Sequence, residues 1–419
     1  YGNLPLKQIL QPVISQAKQG IYVSYDLNQA IGSAEQLILD SESKNIYYKN
    51  KVPLKEHMLV KRSDLAWTLN EIAKDGREAF YSGSISEKIV KAMQQNNGYI
   101  TAKDLNNYQP RFSQPIQTSY RDHTVLAHPP PAGGAAVLLE GLNIIENFET
   151  NKMGPNSASF VHLFAEALQR GHMDRSRFMG DPAFYNVPIE KIISKQRAES
   201  HAKDINLNLV TKSESINPES LFNEGENTTH YSIIDNDGNV VSNTYTLGYS
   251  FGSGVTIPGT GILLNNQMNN FAYQYGEPEV IDRSASIGNR FEPGKRPMST
   301  MSPIIVFDKN DSIKLVTGSP GGALIPAAIL RVVTGVIDFD LNLGEASMLP
   351  RIHKDWPYEN LLLERGFSKD THNLLESFGH EIEESKTMGS TQSILISSKG
   401  VEGFADLRRP NAGVAIQND

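Results

Sequence analysis

The sequence has 419 residues, a formal charge of −8 at pH 7 and no cysteine. The length allows one large or two medium domains with a substantial core, and the acidic balance argues against nucleic acid and anionic membrane surfaces as main partners. The absence of thiols excludes disulfides, thiolate metal sites and a cysteine nucleophile, and no apolar run reaches the roughly 18–20 residues of a membrane span.

The first half of the chain predicts mostly helices with recognisable ends. Ser63 or Asp64 is placed to cap a helix that should stop at Gly76. Ser84 followed by Glu87 has the spacing of a capping box and predicts that the next helix opens there.

Further along, the periodicity predicts two apolar helices and then changes character. The helices are expected over 135–147 and about 156–171. From 203 to 227 the sequence is polar and weakly periodic, which is typical of an exposed, flexible segment.

The second half is rich in strand patterns. A turn signal at 235–239 separates two alternating runs and predicts a β-hairpin. The predicted strands are 229–234, 240–246, 261–267, 304–308, 313–317 and 392–397, and helices are expected near 323–337 and 369–378. Strands accompanied by covering helices indicate a layered α/β protein.

Familiar catalytic motifs are missing from the sequence. It contains no nucleophile elbow, no zinc-protease helix motif and no lysine after a phosphate-binding glycine loop. His162 and Glu166 have metal-ligand spacing on one helical face, but we interpret them as an ordinary polar pair.

Thr228 stands where the polar segment gives way to a strand, directly after Asn227. One interpretation is a plain strand-edge threonine, because threonine favours strands. The other is an N-terminal nucleophile, whose own α-amino group, with a pKa near ~7.7–8.0, would serve as base. That amino group exists only if the bond between Asn227 and Thr228 is broken.

A glycine-rich turn supplies a second candidate feature. Gly318, Gly321 and Gly322 lie between a predicted strand and an apolar helix. Adjacent amides in such a turn can point N–H groups at an oxyanion. An ordinary tight turn is the alternative interpretation.

Together these segments resemble the motifs of gamma-glutamyltransferases. The stretches that resemble the family's small subunit are 228–232, 244–247, 261–268, 296–303, 317–322 and 388–393. In the first half, 129–134, 174–176 and 180–182 match in the same way. The resemblance extends from Tyr1 to the C-terminus, and six ordered small-subunit motifs make it specific.

The resemblance implies a fold and a maturation. The fold would be an α/β (α+β) protein, a four-layer αββα sandwich of the N-terminal-nucleophile hydrolase type. The precursor would cut itself into a helical large-subunit portion, 1–227, with a polar leader near 203–227, and a strand-rich small subunit, 228–419, and both would stay in one structural domain. The family's large subunit begins before Tyr1, so we expect the chain to be truncated at its front.

The resemblance also implies a reaction and its residues. Thr228 would attack a γ-glutamyl amide such as glutathione, and water, an amino acid or a dipeptide would take the acyl group. Thr246 would hydrogen-bond the nucleophile, and Gly321 and Gly322 would form the oxyanion hole. No metal or organic cofactor is implied.

The donor pocket is implied in the same way. Ser299 and Thr300 would hold the donor's α-carboxylate, Gln267 would belong to the α-amino pocket, and residues around 273–295 would form a lid. The family resemblance further implies a periplasmic or secreted protein.

Two positions depart from the family pattern. Gly248 stands where the family usually has asparagine, and Asn270 stands where it usually has an aspartate that receives the donor's α-ammonium. We expect space at Gly248 and a weaker selection for a free amino group, since a charge-assisted bond is worth roughly 1.5–3 kcal/mol. An acylase for glutaryl-type or poly-γ-glutamyl amides, or a catalytically weak family member, therefore stays open as an alternative.

Overall fold

The computed structural model describes residues 2–213, 228–272 and 286–417. The α-helices there are α1 Leu6–Gln19, α2 Tyr25–Ser33, α3 Ser41–Tyr47, α4 Ser63–Asp75, α5 Arg77–Tyr81, α6 Ser84–Gln95, α7 Ala102–Asn107, α8 Gly133–Ile145, α9 Ala158–Phe178, α10 Ile189–Ile192, α11 Lys195–Lys203, α12 Ile325–Ile337, α13 Leu343–Met348 and α14 Lys369–Ser377.

The strands follow the same numbering along the chain. They are β1 Ile21–Tyr22, β2 Tyr48–Lys49, β3 Val52–Pro53, β4 Leu59–Val60, β5 Ile116–Tyr120, β6 His123–Ala127, β7 Thr228–Ile234, β8 Val240–Thr246, β9 Thr256–Ile257, β10 Ile262–Leu263, β11 Ile304–Phe307, β12 Ile313–Thr317, β13 Ile352–His353, β14 Asn360–Glu364, β15 Glu381–Ser385, β16 Gln392–Ser397 and β17 Gly400–Ala405.

The chain folds as two compact units. The smaller unit contains residues 1–112 and 247–266, and the larger unit contains 113–246 and 267–419. Each unit therefore includes residues from both sides of the Asn227–Thr228 bond. The division of the chain into two subunits at this bond stays a prediction.

In the smaller unit, helices pack through small and branched apolar side chains. α1 lies against α4, with Ile14, Ala17 and Ala66 buried between them. As predicted, α4 stops at Gly76, which follows its last residue Asp75 as the C-cap and has a positive φ of 60° that suits a residue without Cβ.

The predicted helix caps in this unit are wrong. Arg62 occupies the N-cap position of α4 and offers no side-chain cap. The Ser84 hydroxyl donates to the Glu71 carboxylate at 2.8 Å instead of capping its own helix. A longer-range acceptor, Glu71, is thus the partner of the hydroxyl in place of the local backbone N–H donor that the spacing suggested.

The larger unit is built on a six-stranded antiparallel sheet in the order β17-β16-β12-β11-β6-β5. Successive side chains of a strand point to opposite faces. Leu315 of β12 and Leu395 of β16 accordingly join the core formed with the helices, whereas Val316 is buried outside that core. A separate sheet joins β13, β14 and β15.

The helical layer over this sheet is almost wholly apolar. Every residue of α8 is buried, and α8 packs against α9, α11 and α12. α9 is longer than predicted and starts after Ser157, whose hydroxyl accepts from the Phe160 N–H at 3.3 Å. None of the described helices combines the length and apolar character needed to cross a membrane.

The predicted hairpin is confirmed as the two-stranded ribbon β7–β8, which packs against β12 and β16. Ser232 Oγ donates to the Gln392 carbonyl at 2.9 Å, and Ser242 Oγ donates to the Thr317 carbonyl at 3.0 Å. The order helices, sheet, ribbon agrees with the predicted layered α/β class.

The strands expected at 304–308, 313–317 and 392–397 are also confirmed, within one residue. The strand expected over 261–267 is shorter: β10 ends at Leu263, and a 3-10 turn occupies Gln267–Asn270.

Candidate active site

Thr228 is the first residue of β7 and is only 4% exposed. It pairs directly with Thr246, the last residue of β8. Directly opposed residues of an antiparallel pair have their Cβ atoms about 4.5–5.5 Å apart on the same face. The ribbon therefore sets two hydroxyl residues side by side at its end.

His230 follows Thr228 on the same buried face of β7, because residues i and i+2 of a strand share a face. Its Nδ1 lies 2.8 Å from Thr244 Oγ1 and its Nε2 lies 3.1 Å from Ser232 Oγ. Burial lowers the pKa of His230 to about 3, so the imidazole is neutral at physiological pH. We call Thr228, His230 and Thr246 the nucleophile cluster.

The nucleophile cluster faces the turn 318–322, which we call the glycine turn. A Cβ atom at Gly318 would lie 2.3 Å from Cε1 of the His230 ring. Only glycine fits this approach, so the predicted strand-to-helix turn lies against the face of β7 that bears Thr228.

Within the glycine turn, Gly321 has φ 133° and Gly322 has φ 56°. Both values are unfavourable for residues that carry a Cβ. A Cβ at Gly321 would also come within 3.2 Å of the Gly389 Cα. The two residues predicted for the oxyanion hole are thus glycines for steric reasons that the structure makes visible.

The glycine turn is fixed by the segment that leads into β16. Ser319 Oγ donates to the Pro320 carbonyl at 2.6 Å and accepts from the Ser390 N–H at 2.9 Å. The Gln392 N–H donates to the Gly318 carbonyl at 3.1 Å. Bonds at both ends hold the backbone of the turn in one orientation.

Gln267 reaches the nucleophile cluster directly. Its Nε2 donates to the carbonyl of Thr246 at 3.0 Å. Gln267 begins the 3-10 turn that ends at Asn270. One short turn therefore connects the residue that contacts Thr246 to Asn270.

Asn270 is buried in a set of amide contacts with Asn289 and Met298, which we call the amide cluster. Asn270 Nδ2 donates to the Met298 carbonyl at 3.3 Å. Asn289 Nδ2 donates to the Asn270 carbonyl at 2.7 Å, and its Oδ1 accepts from the Met298 N–H at 2.9 Å. The side-chain nitrogen of Asn270 therefore points at the Met298 carbonyl. If residue 270 were an aspartate, a carboxylate oxygen would face that carbonyl oxygen instead.

Ser299 and Thr300 follow the amide cluster along the chain. The Ser299 N–H donates to the Pro131 carbonyl at 3.1 Å, and the Gly134 N–H donates to the Ser299 carbonyl at 3.2 Å. A Cβ at Gly134 would fall 2.1 Å from the Thr300 carbonyl. The start of α8 therefore holds both hydroxyl residues next to the amide cluster.

The expected space at Gly248 is not present. Gly248 has φ 93°, and a Cβ there would lie 2.1 Å from Asn266 Oδ1. The same Oδ1 accepts from the Tyr249 N–H at 2.8 Å. The side chain of Asn266 fills the position that we expected to be open.

Arg409 was missed by the sequence reasoning. Its Nη1 donates to the carbonyl of Thr228 at 3.3 Å. The neighbouring Arg408 instead pairs with Glu364 and Asp406. The only sequence signal was a pair of arginines after the last strand, and it does not show which of them contacts Thr228.

Three predicted features fall wholly or partly outside the described residues. Asn227, on the other side of the predicted cleavage site, lies outside them, and the polar segment predicted over 203–227 is described only as far as Ser213. The expected lid is described only from Ser286 onward.

A separate ionic cluster lies in the larger unit. Glu140, Asp174 and His201 form the one group of potential metal ligands found among the described residues. Burial raises the pKa of Glu140 to about 8. Both oxygens of Asp174 already accept from Arg197, so a cation would have to compete with a guanidinium.

His162 and Glu166 do not share a partner. His162 Nδ1 lies 2.7 Å from His380 Nε2, and its Nε2 lies 2.8 Å from the Asn206 carbonyl. Glu166 pairs with Arg170 at 2.6 Å. These contacts account for both side chains as buried polar groups.

Comparison with known proteins extends over the whole chain. The family model for gamma-glutamyltranspeptidase matches residues 1–416. A glutathione hydrolase proenzyme of Escherichia coli is 40% identical over 412 residues, 97% of this chain and 71% of that protein. An acylase ACY 1 proenzyme of Pseudomonas sp. strain SE83 is 33% identical over 420 residues, 99% of this chain and 72% of that protein.

Among solved structures, a cephalosporin acylase from Bacillus halodurans matches with a TM-score of 0.88 and 27% identity, over 100% of this chain and 76% of that one. This likeness confirms the predicted fold class, a layered α/β sandwich of the N-terminal-nucleophile hydrolase type.

Proposed function

The chain belongs to the gamma-glutamyltranspeptidase family, and we propose that it frees Thr228 by self-cleavage and uses it for γ-glutamyl transfer and hydrolysis. The observation that supports this most is the pairing of buried Thr228 with Thr246 at the end of the ribbon, beside the glycine turn. The donor would be a γ-glutamyl amide of the glutathione type, in line with the name of the Escherichia coli relative.

In the proposed reaction the α-amino group of Thr228 accepts the proton of Oγ as Oγ attacks the carbonyl carbon of the donor amide. The negative charge that develops on the carbonyl oxygen would be stabilised by the amides of Gly321 and Gly322. The C–N bond then breaks, the departing amine takes the proton, and an ester on Thr228 remains. Water, an amino acid or a dipeptide attacks this ester and regenerates the hydroxyl.

The remaining candidate residues have positioning and recognition roles in this proposal. Thr246 is proposed to hydrogen-bond the nucleophile through its hydroxyl, which its pairing with Thr228 supports, and Gln267 contacts the Thr246 backbone. Ser299 and Thr300 would receive the donor's α-carboxylate. Their proximity along the chain to the amide cluster supports one shared donor pocket.

Subunit organisation and location form part of the same proposal. Relatives named as proenzymes support a precursor that becomes subunits 1–227 and 228–419, which remain together after cleavage. A periplasmic or secreted location is consistent with the absence of cysteine.

A second donor class is favoured by Asn270. Its side-chain nitrogen points to the Met298 carbonyl, and an amide offers no negative charge to a donor's ammonium. Donors whose amino group is absent or acylated, such as glutaryl amides or internal bonds of poly-γ-glutamate, would then be accepted. The relatives named as acylases fit this alternative.

The cleavage step is tested by gel electrophoresis and N-terminal sequencing of the wild type, T228A and T229A. Thr229 is the exposed neighbour of Thr228 on β7, which makes T229A a matched control. We expect wild type and T229A to give a fragment that begins at residue 228, and T228A to remain one chain. A T228A chain that still breaks at this bond would show that another group performs the cleavage.

The donor class is tested by comparing kcat/KM for a γ-glutamyl amide and for the glutaryl amide with the same leaving group. A preference of several powers of ten for the γ-glutamyl donor would eliminate the acylase alternative. A ratio within about tenfold would favour it, because one charged contact is worth about that much or more.

A further inference from the structure

Arg409 places a permanent positive charge beside the nucleophile's backbone. Its Nη1 donates to the Thr228 carbonyl oxygen at 3.3 Å. That oxygen and the nitrogen of the same residue are separated by only three covalent bonds. After cleavage at the Asn227–Thr228 bond, the guanidinium would therefore lie close to the new α-amino group.

We propose that Arg409 is a positioning residue that holds the Thr228 carbonyl and keeps the neighbouring α-amino group unprotonated. This inference rests on the proposed function, because the amino group exists only after cleavage. An arginine remains charged at all working pH values, and a like charge nearby disfavours the ammonium form. An ordinary α-amino group, with a pKa near ~7.7–8.0, would be mostly protonated at neutral pH, so only a minor fraction of the enzyme would hold it in the form that acts as base.

The turn that carries Arg409 is well anchored. The Arg409 N–H donates to the Asp406 carbonyl at 3.2 Å. Asp406 is buried and accepts from the Thr391 N–H at 3.1 Å and from Arg351 at 2.8 Å. The backbone from which the guanidinium extends is thus fixed to the residue before β16 and to the residue before β13.

The described residues of β7 and of the strands that pack against it bring few other charges near the amine. His230, on the same face, is neutral, because burial lowers its pKa to about 3. Tyr231 and Tyr245 are exposed on the opposite face of the ribbon. Ser232 Oγ contacts the Val316 carbonyl of β12, and Lys314 lies on the side of this contact that is farther from Thr228.

β16 contributes no ionisable side chain, and the charges next to Arg409 in its own turn are paired with other groups. Asp406 lies 2.8 Å from Arg351, and Arg408 lies 2.6 Å from Glu364. Of these groups, Arg409 is the one that contacts Thr228.

The experiment measures the pH dependence of kcat/KM in wild type, R409Q, R409M and R409K. We expect R409Q and R409M to move the midpoint of the acid limb of the kcat/KM profile to a pH that is higher by about half to one unit. This is the shift expected for one partly screened charge at this distance from the amine. R409K retains the charge, so the midpoint of its acid limb should equal that of wild type. R365Q is the matched control, since Arg365 is an exposed arginine paired with Glu384.

The result that overturns the proposal is a self-cleaved neutral variant whose acid limb coincides with that of wild type. Failure of both R409Q and R409M to cut themselves overturns it as well, because the role of Arg409 would then precede the free amine. Fragments in the wild type test the proposed function separately: if wild type cuts and the limbs coincide, only the inference about Arg409 fails.

Discussion

The nucleophile cluster and the amide cluster lie in the same compact unit but are held by different kinds of contact. Thr228 and Thr246 are placed by strand register, and His230 packs against a glycine. Asn270 and Asn289 are placed by side-chain amides that bond to backbone groups. The first cluster matches the family motif, whereas the second contains the departure at Asn270.

This difference separates the reaction from the choice of donor. In the proposed reaction the groups needed for acyl transfer are a hydroxyl, the amine of the same residue and two backbone amides, and their positions depend on backbone geometry. Recognition of the donor's amino end depends on side-chain charge, which a single substitution can change. A family member can therefore keep the reaction and alter the donor.

The largest expected effect concerns the glycine turn. G321A places a methyl group within 3.2 Å of Gly389 Cα at a residue with φ 133°, and the turn must shift. Loss of one oxyanion donor typically costs about 10²–10³ in rate, and we expect kcat to fall by that amount. Steady-state kinetics on the self-cleaved protein provides the measurement.

The control for this prediction is G238A. Gly238 has φ 82° in the tip of the hairpin, and no atom lies within 4 Å of the position that a Cβ would take, so the backbone strain is similar but the site is untouched. G238A should retain kcat at a comparable loss of thermal stability. An equal loss of kcat in both variants would remove the glycine turn from the mechanism.

A smaller effect is expected from the amide cluster. N270D supplies the negative charge that the family pattern has at this position, and we expect the ratio of kcat/KM for γ-glutamyl over glutaryl donors to rise about ten- to a hundredfold. The variant also loses the bond from Nδ2 to the Met298 carbonyl, so its unfolding midpoint should fall.

The matched control is N269D, which adds the same charge at the exposed neighbouring residue. Its donor ratio should stay within a few-fold of wild type. If wild type already rejects the glutaryl donor and N270D changes nothing, another group supplies the charge and the role given to Asn270 is wrong.

The smallest expected effect is a change, in H230Q, of the slope with which the free energy of unfolding depends on pH. Burial lowers the folded-state pKa of His230 to about 3, while an unfolded histidine titrates near ~6.5, so the unfolded chain binds an extra proton between these values. The free energy of unfolding of the wild type therefore falls as the pH drops from about 6.5 toward 3, by about 1.4 kcal/mol per pH unit for this proton. H230Q lacks this contribution.

Urea unfolding at pH 7, 6 and 5 measures this slope. We expect the slope to be shallower in H230Q, because unfolding of the variant takes up one proton fewer over this pH range. The acid limb of kcat/KM should stay where it is, since His230 is already neutral. A limb that moves with this substitution would assign the catalytic base to the imidazole rather than to the Thr228 amine.

Much of the architecture was predictable because it follows from local patterns. The alternation before and after 235–239 specified the hairpin, and Gly76 ended its helix as expected. The capping box at Ser84 failed because Glu71, distant in sequence, competes for the hydroxyl. Local spacing cannot anticipate such a partner.

The same distinction applies to the site. Thr228 and the glycine turn were recognisable from motifs, since each needs a particular residue type at a particular place. Arg409 contacts Thr228 across a separation of 181 residues, and Asn266 fills the space at Gly248 through its side chain. Neither contact leaves a pattern in the sequence.

The proposed reaction requires Thr228 to become an N-terminal residue and to carry the acyl group. Rapid quenching during turnover of a γ-glutamyl or glutaryl amide, followed by proteolysis and mass spectrometry, tests it directly. We predict a peptide that begins at Thr228 and bears the acyl group as an ester on Oγ. An acyl group on any other residue, or a Thr228 still joined to Asn227 in the active protein, would show that Thr228 is not an N-terminal nucleophile.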